Sequence, residues 1–131
     1  LIDSTLVRAN GVTLSPDEKY LYVAQSEYNW IIKRYELDKS GFAKNNKIFS
    51  SNITFTGNLD GIKTDVYGVI FGTGNHGIVC IDTSGVLLGY IYLTENTSNL
   101  CWGDDKLDAL YITANKKVYK LKTKTKGNIT Y

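Results

Sequence analysis

A chain of 131 residues with a formal charge of +2 is long enough for one domain with a real core. The near-even charge gives no general pull toward nucleic acid or an anionic membrane, and no apolar run approaches the roughly 20 residues that span a bilayer. Ten Tyr, twelve Gly, one Pro and no Met accompany short apolar segments rich in Val, Ile, Tyr and Thr, with no helical periodicity, so the expected fold is all-β.

Residues 1–9, "LIDSTLVRA", open on Leu1 rather than Met and carry no signal-peptide pattern, which suggests a fragment, a processed form or a trimmed chain. Asn10 then heads "NGVTLSPDEKYLYVAQ": a short apolar segment, a polar turn, and a second strand "YLYVA". A third strand "WIIKRYEL" and a fourth "KIFSSNITF" follow. Asp60 heads the same sequence of events in "DGIKTDVYGVIFGT", continued by "GIVCID" and "LLGYIYL". Asn99 heads it again in "NLCWGDDKLDALYITA", continued by "KVYKLK". The starts are 50 and 39 residues apart. Four strands at such a period are the mark of propeller blades. A sandwich also supplies short strands, but it does not repeat one motif at the head of each group of four. The expected blades are 10–55, 60–93 and 99–131, with 1–9 as the tail of a preceding blade or a connector. Three blades fall below the usual four to eight, so the expectation is a partial propeller.

In such a fold the first strand of each blade lines the central channel. Its start shares one face with the loop between the second and third strands. Asn10, Asp60 and Asn99 should therefore converge at the channel mouth, beside the loops 25–30, 72–77 and 114–116, while Glu18 lies on the opposite face.

These stretches, "RANGVTLSPDEKYLYVAQS", "LDGIKTDVYGVIFGTGNHGIVCIDTSGVLLGYI" and "TSNLCWGDDKLDALYITANKKVYKLK", resemble the later half of the gluconolactonase and regucalcin (senescence marker protein) family. The resemblance implies a six-bladed propeller lactonase with one divalent metal at the channel mouth. It implies that Asn10 is a metal ligand and that Asp60 is both a ligand and the candidate general base. Asn99 takes a supporting place near the site. Ala9 stands where the family usually has Pro. The family's first-blade Glu ligand and an earlier substrate-contacting Asn have no counterpart in this chain.

Carboxylate and amide oxygens are hard ligands. Ca²⁺ is the first expectation, with Mg²⁺, Zn²⁺ or Mn²⁺ as alternatives. The implied substrate is a small-molecule lactone. No covalent nucleophile is indicated, since there is no G-x-S-x-G elbow and only one histidine. That histidine, His76, lies in the Gly-rich hairpin "GTGNHG", where it is either a substrate contact or a freely exposed imidazole. Glu27 lies on the same face and is an alternative carboxylate ligand, while Tyr28 and Trp30 are expected to pack a strand end. Cys80 and Cys101 fall in strand-like runs and are expected to be buried reduced thiols, with a disulfide as the alternative. "KKVYKLKTKTKG" reads as a strand with one wet face. Sequons at Asn52, Asn96 and Asn128 matter only in a secreted protein.

The competing functional reading is a non-catalytic propeller piece that binds or self-associates, or that needs further blades to close its ring. The compartment is open; a soluble chain is expected, with the cytoplasm slightly favoured.

Overall fold

A computed structural model describes residues 1–27, 30–51 and 58–129. These form eleven strands, and no helix among them is long and apolar enough to cross a membrane. The first sheet contains β1 (Ala9–Leu14), β2 (Tyr20–Gln25), β3 (Ile31–Leu37) and β4 (Ala43–Ser51) in that spatial order. The second contains β5 (Ile62–Thr64), β6 (Ile70–Gly74), β7 (Gly77–Ile81) and β8 (Leu87–Tyr92). The third contains β9 (Thr97–Gly103), β10 (Ala109–Ala114) and β11 (Lys117–Lys122). Every neighbouring pair is antiparallel, as expected of up-and-down propeller blades.

Two hydrophobic cores hold the three blades together. The first joins Tyr22, Ala24, Ile32 and Phe49 of the first blade to Ile62, Ile70, Val79 and Ile81 of the second. The second joins Phe71 and Ile78 of the middle blade to Leu100, Leu110 and Ile112 of the third. Side chains alternate across a strand, so the middle blade must be apolar on both faces. On β6, Ile70 enters one core and Phe71 the other; on β7, Val79 and Ile81 face one way and Ile78 and Cys80 the other. This explains the unbroken apolar runs "VIF" and "GIVCI". Each fully buried isoleucine contributes about 1.5–3 kcal/mol by burial.

The ends of the chain depart from a simple blade pattern. Residues 1–7 form no strand, and lie over the outer face of the first blade. There Asp3 accepts hydrogen bonds from the Tyr35 hydroxyl (2.6 Å) and Lys33 Nζ (3.0 Å). After β11 the chain turns back beneath the channel instead of adding a fourth strand among the described residues. Val66 N donates to Lys126 O (3.0 Å), Gly127 N to Leu107 O (2.8 Å), and Asn128 N to Thr64 O (3.1 Å). The final part of the expected strand "KIFSSNITF", from Asn52 on, lies outside the described residues.

β11 has the anticipated wet face: Lys120 pairs with Asp104 (2.8 Å) and Lys122 with Asp108 (2.5 Å). The cysteines correct one expectation. Both are free thiols, but only Cys80 is partly buried and Cys101 is exposed. On β9, Leu100 and Trp102 turn into the second core, which leaves Cys101 between them on the blade's open face.

Candidate metal centre at the channel mouth

The repeated motif has a concrete cause in the backbone. Gly11 N donates to Asp60 O (3.0 Å), and one blade further on Gly61 N donates to Ser98 O (3.0 Å). A Cβ on Gly11 would lie 2.3 Å from Asp60 O, and one on Gly61 would lie 2.4 Å from Asn99 Oδ1. Neither glycine has a left-handed φ. The Asn-Gly and Asp-Gly pairs are therefore not hairpin turns. They are the points where adjacent blades close on each other around the channel, and only a residue without Cβ allows that approach.

This stitching fixes Asn10, Asp60 and Asn99 along one rim, each at the start of its blade. Asn10 Nδ2 donates to Ser26 Oγ (3.0 Å), and Ser26 Oγ–H donates in turn to Leu59 O (2.6 Å). The Asn10 side chain also lies near the Asp60 carboxylate and favours its ionised form. The Asn10 amide nitrogen is the donor toward Ser26, and no hydrogen bond among the described residues uses Asn10 Oδ1. Asp60 is half-buried, and burial pushes its carboxyl above the usual carboxylate range, opposed by the nearby Asn10 side chain. No ion pair involves it among the described residues. Asn99 is tied down by its own blade: its Oδ1 accepts from Leu100 N (2.9 Å) and its carbonyl from Thr113 Oγ1 (3.3 Å).

The other mouth residues are placed differently. His76 is exposed at the β6–β7 turn with φ 68°, and stacks on Tyr92 of the outermost strand of its blade at 6.2 Å between ring centroids. Glu27 is held by Arg8 at 2.8 Å. Trp30 packs against the first core, while Tyr28 lies outside the described residues. A residue that sequence reading did not single out also belongs to this region. Ser26 orients Asn10 from the β2–β3 loop; its only sequence signal is a place within "QSEYNW". Lys63, on β5, lines a cleft with Asn99, Leu100, Cys101 and Tyr111 that includes neither Asn10 nor Asp60.

Fold and rim can now be set beside known proteins. The profile of the SMP-30/gluconolactonase/LRE-like region matches residues 1–116. The chain belongs to this family. A gluconolactonase of Zymomonas mobilis is 32% identical over 139 residues, an overlap that takes in 97% of this chain and 38% of the relative. The structure of a Xanthomonas campestris gluconolactonase superposes with a TM-score of 0.81 at 28% identity, covering 91% of this chain and 39% of that one. Regucalcin from Agrobacterium tumefaciens, described as a calcium-binding protein, shares the fold at a TM-score of 0.84 and 18% identity, over 96% of this chain and 49% of its own. The chain thus spans from two fifths to half the length of these SMP-30/gluconolactonase relatives. Its three blades are a part of a propeller of the six-bladed lactonase type.

Among the described residues the donor set suits a hard cation: the Asp60 carboxylate makes no ion pair and the Asn10 amide oxygen accepts no hydrogen bond. It is a partial set. Among the described residues no three His, Cys, Asp or Glu side chains gather.

Proposed function

We propose that the rim formed by Asn10 and Asp60 is the metal-holding part of a lactone hydrolase site. A single observation carries this reading: among the described residues, the half-buried Asp60 carboxylate at the channel mouth makes no ion pair with a side chain and the Asn10 amide oxygen accepts no hydrogen bond. Asp60 and Asn10 would hold a divalent cation, Ca²⁺ first by ligand hardness, with Mg²⁺, Zn²⁺ or Mn²⁺ as alternatives. When bound, the cation supplies Lewis acidity toward a lactone carbonyl and favours the oxyanion.

The residues of the chain do the remainder. Asp60 accepts a proton from the attacking water as the new C–O bond forms. The ring C–O bond then breaks, and the alkoxide that leaves takes the proton, giving a hydroxy acid. Burial strengthens Asp60 as a base, whereas positive charge beside it keeps it ionised. Asn10 stands beside the carboxylate, and Ser26 fixes the Asn10 amide through Leu59 O, so the pair need not reorganise during the reaction.

A second reading follows from the partial donor set and the length of the relatives. Without additional ligands the rim binds metal but turns nothing over, and the chain acts as a binding piece. Calorimetric calcium titration, with lactone opening followed by acid release, separates the two. The hydrolase reading expects saturable binding at one site and cation-dependent opening of a sugar-type lactone, both lost in folded Asp60→Ala. Lactone opening that survives Asp60→Ala refutes it, and metal binding without any opening leaves only the second reading.

A further inference from the structure

Two asparagines, Asn10 and Asn99, head blades at the channel mouth, and a hydroxyl decides what the first of them presents there. Ser26 is buried just past the end of β2, where its N–H donates to Arg8 O at 3.1 Å. Its Oγ lies 2.6 Å from Leu59 O. A carbonyl oxygen only accepts, so the single hydroxyl hydrogen of Ser26 is committed to Leu59. Toward Asn10, 3.0 Å away, Ser26 Oγ is left with lone pairs alone. The group facing it must therefore be the Asn10 Nδ2, and Oδ1 is turned away from the hydroxyl. Nitrogen and oxygen of a side-chain amide have nearly the same shape, but only the oxygen can ligate a hard cation.

Asn99 shows the alternative. Its Oδ1 accepts from Leu100 N at 2.9 Å, and among the described residues no hydroxyl meets its side chain. The oxygen is spent on the backbone and the nitrogen is what remains to be presented.

The far end of the Ser26 relay matters as well. Leu59 O belongs to the peptide group before Asp60, and Asp60 O, in the peptide group after it, accepts from Gly11 N at 3.0 Å. The first blade thus grips the backbone on both sides of Asp60, once through Ser26 and once through Gly11. The Asn10 amide is oriented by the same backbone that carries the carboxylate.

We propose that Ser26 is a positioning residue for the metal centre: its hydroxyl, committed to Leu59 O, selects the Asn10 rotamer that offers Oδ1 at the rim. Ser26 is then the reason that Asn10, and not Asn99, has an amide oxygen to give. The cation belongs to the metal reading of the rim, on which this rests, whereas the amide orientation is a property of the chain alone.

Two measurements test it. In the metal-free protein, NMR should show a nuclear Overhauser contact between the Asn10 side-chain amide hydrogens and Ser26 Hβ. Those hydrogens are identified as the pair missing from Asn10→Asp. Calcium titration should show affinity falling about tenfold or more in Ser26→Ala, the usual loss when the partner that orients a metal ligand is removed. Asn10→Asp separates orientation from general damage, because a carboxylate presents an oxygen in either rotamer. Adding Ser26→Ala to Asn10→Asp should therefore change calcium affinity by no more than about threefold. Circular dichroism confirms that each variant is folded. An equal loss from Ser26→Ala in both backgrounds is the mark of a merely structural hydroxyl and overturns the proposal. Absence of the Overhauser contact in wild type overturns it too, whatever calcium does. A wild type that keeps the contact but binds no calcium refutes the metal reading instead, and Ser26 then has no metal ligand to position.

Discussion

Gly11→Ala tests whether the blades are stitched at the rim as described. The new Cβ would sit 2.3 Å from Asp60 O, 2.6 Å from Ile62 N and 2.9 Å from Gly61 C, all of them backbone atoms of the next blade. Ordinary contact begins near 3.4 Å, so the two blades must separate by 3.4 − 2.3 = 1.1 Å at this point. No side chain can swing aside to relieve the clash. The Gly11 N–H···O bond to Asp60, 3.0 Å at present, is lost in the separation. Losing it costs about 1 kcal/mol and the strain of overpacking about 1–3 kcal/mol, while the less flexible unfolded chain of alanine returns about 0.4–1 kcal/mol. The net destabilisation is about 1–3.6 kcal/mol. With an unfolding entropy of about 2.1 cal/mol/K per residue, the melting temperature falls by about 4–13 °C. Thermal unfolding by circular dichroism measures this directly. Calcium titration of the same sample should show weakened binding, because Asn10 and Asp60 are carried apart with their backbones. A melting temperature within about 2 °C of wild type would refute the account of the rim, since overpacking against rigid backbone has no such inexpensive solution.

Two more outcomes follow from the ends and the open face of the molecule. Hydrogen bonds from Tyr35, Thr5 and Lys33 hold the Asp3 carboxyl well below the usual range, so its contribution is present above pH 4 and is lost as pH falls toward the depressed folded value. Asp3→Asn should therefore lower stability at pH 7, and the gap to wild type should close below about pH 4 in urea unfolding, whereas a gap independent of pH would contradict it. Thiol titration with an aromatic disulfide at pH 8 should label Cys101 rapidly and Cys80 slowly, because burial pushes the Cys80 thiol up to about 11. Equal rates at both positions would show that the third blade's outer face is covered in solution.

The strands could be read from the sequence because each is punctuated by its own turn. "KVYKLK" corresponds to β11, Lys117–Lys122, residue for residue, and "YLYVA" to all but the last residue of β2. The rim was legible for a different reason. The Gly after Asn10 and the Gly after Asp60 are imposed by contact between blades, so the constraint repeats with the blade. What escaped the sequence depends on which face of a strand another element covers. Cys101 and Leu100 are adjacent in "NLCWG", yet one is exposed and the other buried, and only the position of the middle blade decides which. Lys63 looks like any polar residue in an alternating strand until Ile62 and Thr64 are seen committed to the other side. The Asp3 to Tyr35 bond joins residues 32 apart with no local pattern to announce it.

The return of the chain beneath the channel has a consequence for how the protein folds. Thr64 O accepts from Trp102 Nε1 at 2.8 Å and from Asn128 N at 3.1 Å, and the Asp65–Gly127 bridge lies beside them. The innermost strand of the central blade is only three residues long, and it is completed by groups supplied from 38 and 64 residues downstream. Such distant closures are slow, since loop entropy is spent before the contact forms. The blades therefore should not assemble one at a time as they leave the ribosome, in the manner of repeats that contact only their neighbours. The central strand waits for the third blade and the tail, and the two later blades mature as one cooperative unit.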